Sequence, residues 1–340
     1  MSQILIKDVA QRAGVSPATV SRVLNADRGV SSERRKRVLE AIDALGYQPN
    51  RVARNLRRQL TDTIGVVISD IENPHFTRAV RVIEDAAFAR GYRVFLCNTD
   101  ETPSKQGAYL EMLAAERVVG VILAPADPTD GTIGQLLDMG IPIVAFDREV
   151  TDPRADAVTA DNLTAGFRAT ELLLQRGHRA IGFIAGRPDI QTGADRLRGY
   201  ERAMANRNLE PYSASGMFRI DEASEATMQL LEDRPETTAI VVGNNLMTLG
   251  ALAAIRDRGL AVPDQLSLVQ LDDPFWAQLV DPALTSFAQP VQHMAQSAID
   301  LLLQRIHKER ETSKHIVYQF ELRERRSVAT IERPQGAAAH

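Results

Sequence analysis

Cysteine is almost missing: the 340 residues contain one, Cys97, set in an apolar run. A single cysteine excludes an internal disulfide framework and a cysteine-built zinc site, and reads as a small buried hydrophobe. Long hydrophobic runs are also missing. None approaches the roughly 18 apolar residues of a membrane span, so no membrane partner is expected. Lys7, Asp8 and Arg12 interrupt any apolar stretch near the start, which argues against a signal peptide and for a cytoplasmic chain. The motifs of common enzyme classes are missing too. There is no Gly-x-Ser-x-Gly elbow, no Walker loop, no Gly-x-Gly-x-x-Gly after the first strand and no metal-ligand cluster. Neither an enzyme nor a cofactor is implied. The last ten residues, 331–340, carry Pro334, Gly336 and three alanines but no leucine heptad, which predicts a disordered tail and no coiled coil.

What is present is uneven in charge. Residues 1–60 hold 12 Lys+Arg against 5 Asp+Glu, a net +7, while the rest holds 28 against 39, a net −11. A basic head on an acidic body suits phosphate attraction at one end.

The head explains itself between Ile6 and Asn25. Lys7 to Ala13 is predicted as a short helix that Gly14 ends, because glycine takes the left-handed conformation needed there. Ser16 is a good N-cap and Pro17 occupies the first helical position, where its missing N–H costs nothing. Val20, Val23 and Leu24 give the second helix one apolar face. Two short helices around a glycine-containing turn make a helix-turn-helix, whose partner is double-stranded DNA. Ser31 is placed to cap a third helix running to Leu45, with Val38, Ile42 and Leu45 on one face and Gly46 at its end. The head is therefore 1–48. Residues 49–62 form a hinge: Asn50 can cap Arg51 to Arg58, good helix formers that span barely two turns and are marginal alone.

From 63 to 330, β-branched runs alternate with amphipathic stretches. The expected strands are 63–69, 92–98, 120–124, 142–146 and 157–160, then 180–185, 217–219, 239–242, 266–271 and 284–287. The expected helices are 74–90, 103–115, 162–176, 194–206, 222–231, 246–258 and 291–308. Such alternation means parallel sheets covered on both faces, here in two halves of similar pattern. In such sheets, sites lie at the carboxyl ends of strands.

The head and hinge resemble the lactose-repressor family of bacterial transcription regulators. The matching residues are Lys7-Asp-Val-Ala10, Ala13-Gly-Val-Ser16, Thr19-Val-Ser-Arg-Val-Leu-Asn25, Gly46-Tyr47, Pro49-Asn50 and Ala53-Arg-Asn-Leu-Arg57. In the body, Asn73-Pro-His-Phe76, Asp161-Asn162, Gly177-His178, Arg196-Leu-Arg-Gly-Tyr200 and Asp272-Asp273 match as well. The resemblance covers about residues 5–325. It implies a body like the periplasmic sugar-binding proteins, a homodimer on a palindromic operator, and DNA affinity that changes when a small molecule binds. The expected fold is a three-helix head, a hinge helix and an α/β body of two parallel-sheet subdomains. These would be 63–161 with 290–322, and 162–289 with 323–330.

By that resemblance Pro17, Ala18 and Arg22 reach base edges, and Arg22 alone offers a bidentate contact to guanine. Ser16, Thr19, Ser21 and Asn25 suit phosphate oxygens, with local capping as their competing role. In the hinge, Asn50, Arg51, Val52, Ala53, Arg54, Leu56 and Arg57 are the DNA candidates, with Leu56 wedged between base steps in the minor groove. The candidate effector residues stand at strand ends: Asn73, His75 and Phe76, then Asp147 and Arg148, Arg196, Asn244, Asp272 and Gln289, with Phe218 as a second aromatic. Together they look like a set used around a monosaccharide, whose hydroxyls both donate and accept. Competing roles are a surface ion pair at 147–148, a brace at Arg196, a turn at Asn244 and a crossing strut at Gln289. His178 reads as structural. The expected function is a repressor of carbohydrate-utilisation genes controlled by a sugar-like effector. The alternative is a purine- or other metabolite-responsive repressor that uses its ligand as corepressor.

Overall fold

The computed structural model describes residues 4–24, 29–47 and 61–331. The chain forms two compact units, Met1–Thr61 and Asp62–His340. Among the candidates above, Asn25, Asn50, Arg51, Val52, Ala53, Arg54, Leu56 and Arg57 lie outside the described residues, as do the rest of the hinge to residue 60 and the tail from 332.

In the first unit, α1 (Ile6–Ala13), α2 (Pro17–Leu24) and α3 (Ser32–Leu45) bury a core of Val9, Ala13, Val20, Val23, Val38 and Tyr47. Gly14 sits at φ 63° and ends α1, and the Val15 N–H reaches back to Ala10 O at 3.0 Å. Ser16 Oγ accepts the Thr19 N–H at 3.2 Å, which caps α2 and aims its first turn outward. The expected Ser31 cap is not made by its side chain. The serine carbonyl instead accepts the Arg35 N–H at 3.0 Å, an ordinary helical bond.

The second unit holds two six-stranded sheets. The first runs β11-β5-β4-β3-β1-β2, all parallel, built from β1 (Thr63–Ile68), β2 (Arg93–Asn98), β3 (Val121–Leu123), β4 (Ile143–Asp147), β5 (Asp156–Ala160) and β11 (His315–Tyr318). The second runs β12-β10-β9-β8-β6-β7, from β6 (Ile181–Ala185), β7 (Tyr212–Ser215), β8 (Ala239–Val242), β9 (Ser267–Leu271), β10 (Thr285–Ala288) and β12 (Glu321–Arg323). Only β12 runs antiparallel to its neighbour among the described strands. The central strands β1, β3, β4, β6, β8 and β9 are buried along their whole length, as parallel sheets covered on both faces require.

The connecting helices are α4 (Pro74–Ala89), α5 (Pro103–Ala115), α6 (Gly131–Asp138), α7 (Asn162–Gln175), α8 (Gln191–Ala205), α9 (Ile220–Asp233), α10 (Asn245–Asp257) and α11 (Val291–Ile306). The chain crosses from the first sheet to the second after β5 and returns after β10 to lay α11 against α4, β4 and β5. It crosses again between β11 and β12, reaching the second sheet at Glu321, slightly before the expected residue 323.

One expected strand is wrong. Met217–Arg219 is a turn, with Met217 at φ 53° and Phe218 at φ 62°. The edge strand of that region is β7, in which half-buried Tyr212 and Ala214 alternate with exposed Ser213 and Ser215. The apolar pair after it has a different task, lining a cavity.

Candidate functional site

The carboxyl ends of the two parallel sheets supply one cavity, with about 560 Å³ of space between atoms, part of it open to solvent. All ten residues singled out for an effector line it: Asn73, His75, Phe76, Asp147, Arg148, Arg196, Phe218, Asn244, Asp272 and Gln289. Six more were not singled out: Asp70, Glu101, Arg187, Thr192, Met217 and Arg219.

Local chemistry sets each position. Asn73 caps α4, its Oδ1 accepting the His75 N–H at 2.9 Å, and Pro74 follows at the first helical position. That cap turns His75 and Phe76 inward, where both are buried and meet edge to face at 5.0 Å. Asn244 caps α10 in the same way through the Met247 N–H at 2.8 Å, so its turn-forming role and its place in the cavity coincide. The Phe218 ring lies where glycine leaves room. A Cβ on Gly186 would stand 2.1 Å from Phe218 Cε1.

Asp147 is buried at the end of β4. His75 Nε2 lies 3.4 Å from its Oδ1, and Arg148 Nε lies 3.4 Å from its Oδ2. Burial pushes the Asp147 carboxyl up, but His75 and the charges of Arg148 and Arg196 outweigh it and hold the group at about 2. Arg148 is no surface ion pair. It is 6% exposed and donates from Nη1 and Nη2 to the two Glu101 oxygens at 2.6 and 2.5 Å. Burial works against its charge, and Glu101 and Asp147 more than compensate.

Across the cavity, Arg196 donates to Asn162 Oδ1 at 2.7 Å and to Gly243 O at 2.5 Å, and its Nη2 stands 3.7 Å from Asp272 Oδ1. It therefore braces the second half and presents its edge to the cavity. Gln289 donates to Asp272 Oδ1 at 2.7 Å. Among the described residues, polar contacts that join the halves across the cavity include Asn245 Nδ2 to Asn73 Oδ1 at 2.9 Å, Arg187 Nη1 to Glu101 O at 3.2 Å, and Arg219 to Asp70 at 3.6 Å.

Several buried polar atoms here have no hydrogen-bond partner: both ring nitrogens of His75, Arg148 Nε and Gln289 Oε1. Buried polar groups are normally paired, and an unpaired one costs about 1–3 kcal/mol. His75 Nε2 and Arg148 Nε still face the Asp147 oxygens at 3.4 Å, which leaves His75 Nδ1 and Gln289 Oε1 as the atoms a polar ligand would satisfy. Among the described residues no group of three or more His, Cys, Asp or Glu side chains could hold a metal ion.

In the first unit, Ser16, Pro17, Ala18 and Arg22 are exposed, and Thr19 and Ser21 half-buried. Ala18 and Arg22 are four apart on α2 and share a face. Ser16 and Thr19 are engaged with each other, their hydroxyl oxygens 3.0 Å apart.

Comparison with known proteins agrees with this construction. Residues 5–50 match the family described as bacterial regulatory proteins, lacI family, and residues 170–328 match a periplasmic binding protein-like domain. The HTH-type transcriptional repressor PurR of Edwardsiella ictaluri is 36% identical over 329 residues, 95% of this chain and 96% of that one. A transcriptional regulator CelR–cellobiose complex superposes with TM-score 0.71 at 31% identity, covering 95% of this chain and 99% of that one. The Lac repressor dimer bound to operator and the anti-inducer ONPF superposes with TM-score 0.86 at 27% identity, covering 96% and 100%. The chain belongs to the LacI family of bacterial regulatory proteins and is a DNA-binding transcriptional repressor with an effector-binding α/β body.

Proposed function

We propose that the cavity binds a monosaccharide-like effector and that its binding releases the protein from its operator, so that carbohydrate-utilisation genes are derepressed. The observation that carries this reading is the convergence of ten strand-end and helix residues from both sheets on one cavity rich in carboxylate, guanidinium and amide groups. Sugar hydroxyls donate once and accept twice, which suits those groups, and Phe76 and Phe218 offer ring faces for the apolar side of a sugar. The cellobiose-bound relative supports a carbohydrate ligand.

The chain acts as a homodimer on a palindromic operator. Pro17, Ala18 and Arg22 face base edges. Ser16, Thr19, Ser21, Asn25 and the hinge from Asn50 to Arg57 carry phosphate and minor-groove contacts, with Leu56 as the wedge. A ligand touching both halves favours the closed cleft, and only its differential affinity for the closed form can move the DNA equilibrium. The body binds without turnover, and the protein works in the cytoplasm. No helix among the described residues is long and apolar enough to cross a membrane.

A purine-type corepressor is the second reading, favoured by the 36% identity to a repressor named PurR. Melting temperature and operator binding, measured across a panel of monosaccharides and purine bases, separate the two. A sugar should stabilise the protein and release DNA. A purine that stabilises the protein and tightens operator binding would overturn the sugar reading.

A further inference from the structure

Glu101 enters the cavity from the loop after β2, and its side chain is 10% exposed. The backbone that delivers it is left-handed at two successive non-glycine residues, Asp100 at φ 51° and Glu101 at φ 55°. That conformation is unfavourable and persists only where surroundings enforce it. Here they do. Asp100 accepts from Asn98 Nδ2 at 2.7 Å and pairs with Lys105, and the Glu101 N–H reaches Ser69 O at 3.2 Å. The result is a carboxylate aligned on both terminal nitrogens of Arg148, while the same residue's carbonyl accepts from Arg187 of the other half.

A guanidinium fork buried in a ligand cavity is what a protein uses to seize a carboxylate or phosphate. In this cavity the protein supplies that anion itself. Each lining arginine faces an acidic side chain: Arg148 with Glu101, Arg187 with Asp189, Arg196 with Asp272, and Arg219 with Asp70. We propose that Glu101 is a specificity-determining residue: it fills the anion position on Arg148, so the cavity accepts a neutral polyhydroxy effector and rejects its carboxylated or phosphorylated counterpart. A ligand anion would have to displace Glu101 and leave that charge buried without its partner, a built-in penalty against the wrong ligand. The inference deepens the sugar reading and rests on it for the choice of ligand.

The test uses the full chain, with melting temperature and calorimetric titration against D-ribose and D-ribonate, D-glucose and D-gluconate, and inorganic phosphate at constant ionic strength. The wild type should bind the aldose that stabilises it at least ten-fold more tightly than the matching aldonate. Glu101→Gln should gain at least ten-fold for that aldonate, and phosphate should stabilise it where it does not stabilise the wild type. Glu101→Asp keeps the charge and should keep the wild-type preference. An aldonate bound by the wild type as tightly as its aldose overturns the proposal, whether or not Glu101→Gln folds. So does a folded Glu101→Gln protein with no gain for aldonate or phosphate. If no sugar of either kind stabilises the wild type, the sugar reading fails. The phosphate comparison then still decides the role of Glu101: a gain in Glu101→Gln that disappears in Glu101→Gln/Arg148→Gln supports it, and no gain overturns it.

Discussion

Asp147 and Asp272 are the same residue twice. Asp147 is the last residue of β4 and Asp272 directly follows β9, and these strands lie in equivalent places, β4 between β3 and β5 in one sheet and β9 between β8 and β10 in the other. Each has a left-handed backbone, at φ 68° and φ 74°. Aspartate tolerates that conformation better than most side chains. The bend turns each carboxylate off its strand and into the cavity, where it becomes a fixed, buried acceptor, one from each half.

Asn is the informative replacement, because it also tolerates the left-handed region and nearly matches the shape. Asp272→Asn and Asp147→Asn should each keep the fold and weaken effector binding by about ten- to a hundred-fold, the worth of a hydrogen bond to a charged group. Calorimetric titration with the best-binding monosaccharide measures it. Unchanged affinity in both variants would remove the carboxylates from the binding site.

How much of this was legible in the sequence follows from particular residues. Asp147, Asp272 and Gln289 stand at or directly after the ends of apolar strand runs and His75 opens the helix that follows the first, so strand alternation and the resemblance both point to them. Glu101 does not. It sits in Asp100-Glu-Thr-Pro103, which reads as a charged turn, and its partner Arg148 is 47 positions away. Arg187 and Arg219 lie in loops whose direction only the folded chain sets. The helix Gly131–Asp138 escaped notice because it has eight residues, two of them glycine. The strands at 315–318 and 321–323 escaped because both stand at sheet edges and carry exposed polar residues. Edge strands lack the continuous apolar run that marks the centre of a parallel sheet.

Asn245 tests the join between the halves. Its amide crosses to Asn73 Oδ1, which also holds the His75 N–H, so Asn245→Ala orphans no buried acceptor on the far side. The expected cost is that of one neutral hydrogen bond, about 1 kcal/mol. If opening the cleft breaks this bond, effector affinity should fall about five-fold with it. A melting temperature lowered by many degrees without ligand would mean that Asn245 serves the fold instead.

Two titrations should appear in the stability of the body. His178 is 1% exposed, with Nε2 3.2 Å from Ala329 O and Nδ1 2.9 Å from Thr238 Oγ1. Burial lowers its pKa, against the smaller opposing pull of the Ala329 carbonyl. The unfolded chain then binds the proton first, so stability falls as pH drops below about 6.5. His178→Gln should flatten that part of the curve. Asp147 works further down. Its folded value of about 2 lies below the ordinary 3.8, so its contribution is complete above about pH 4 and is lost as pH falls towards 2. Denaturant midpoints measured from pH 7 to pH 2 would show both steps. A curve for His178→Gln that parallels the wild type would contradict the first.

On the DNA side, Arg22→Ala should cost about 1–3 kcal/mol against a guanine-containing half-site and much less against a half-site with that guanine replaced. If Leu56 is the proposed wedge, Leu56→Ala should leave the fold intact and sharply weaken binding to a palindromic duplex, because the kink that brings protein and duplex together is lost with it. Anisotropy titrations at fixed salt measure both. Equal losses on every sequence would reduce Arg22 to a phosphate contact.

A neutral sugar in the cavity is proposed to switch the DNA-reading head. The most direct test is one titration: full-length protein on a fluorescent palindromic operator, with the monosaccharide that most raises the melting temperature added stepwise. Release of the duplex over the concentration range that stabilises the protein is the predicted result. Operator affinity that stays constant, or tightens, while the cavity fills would contradict it.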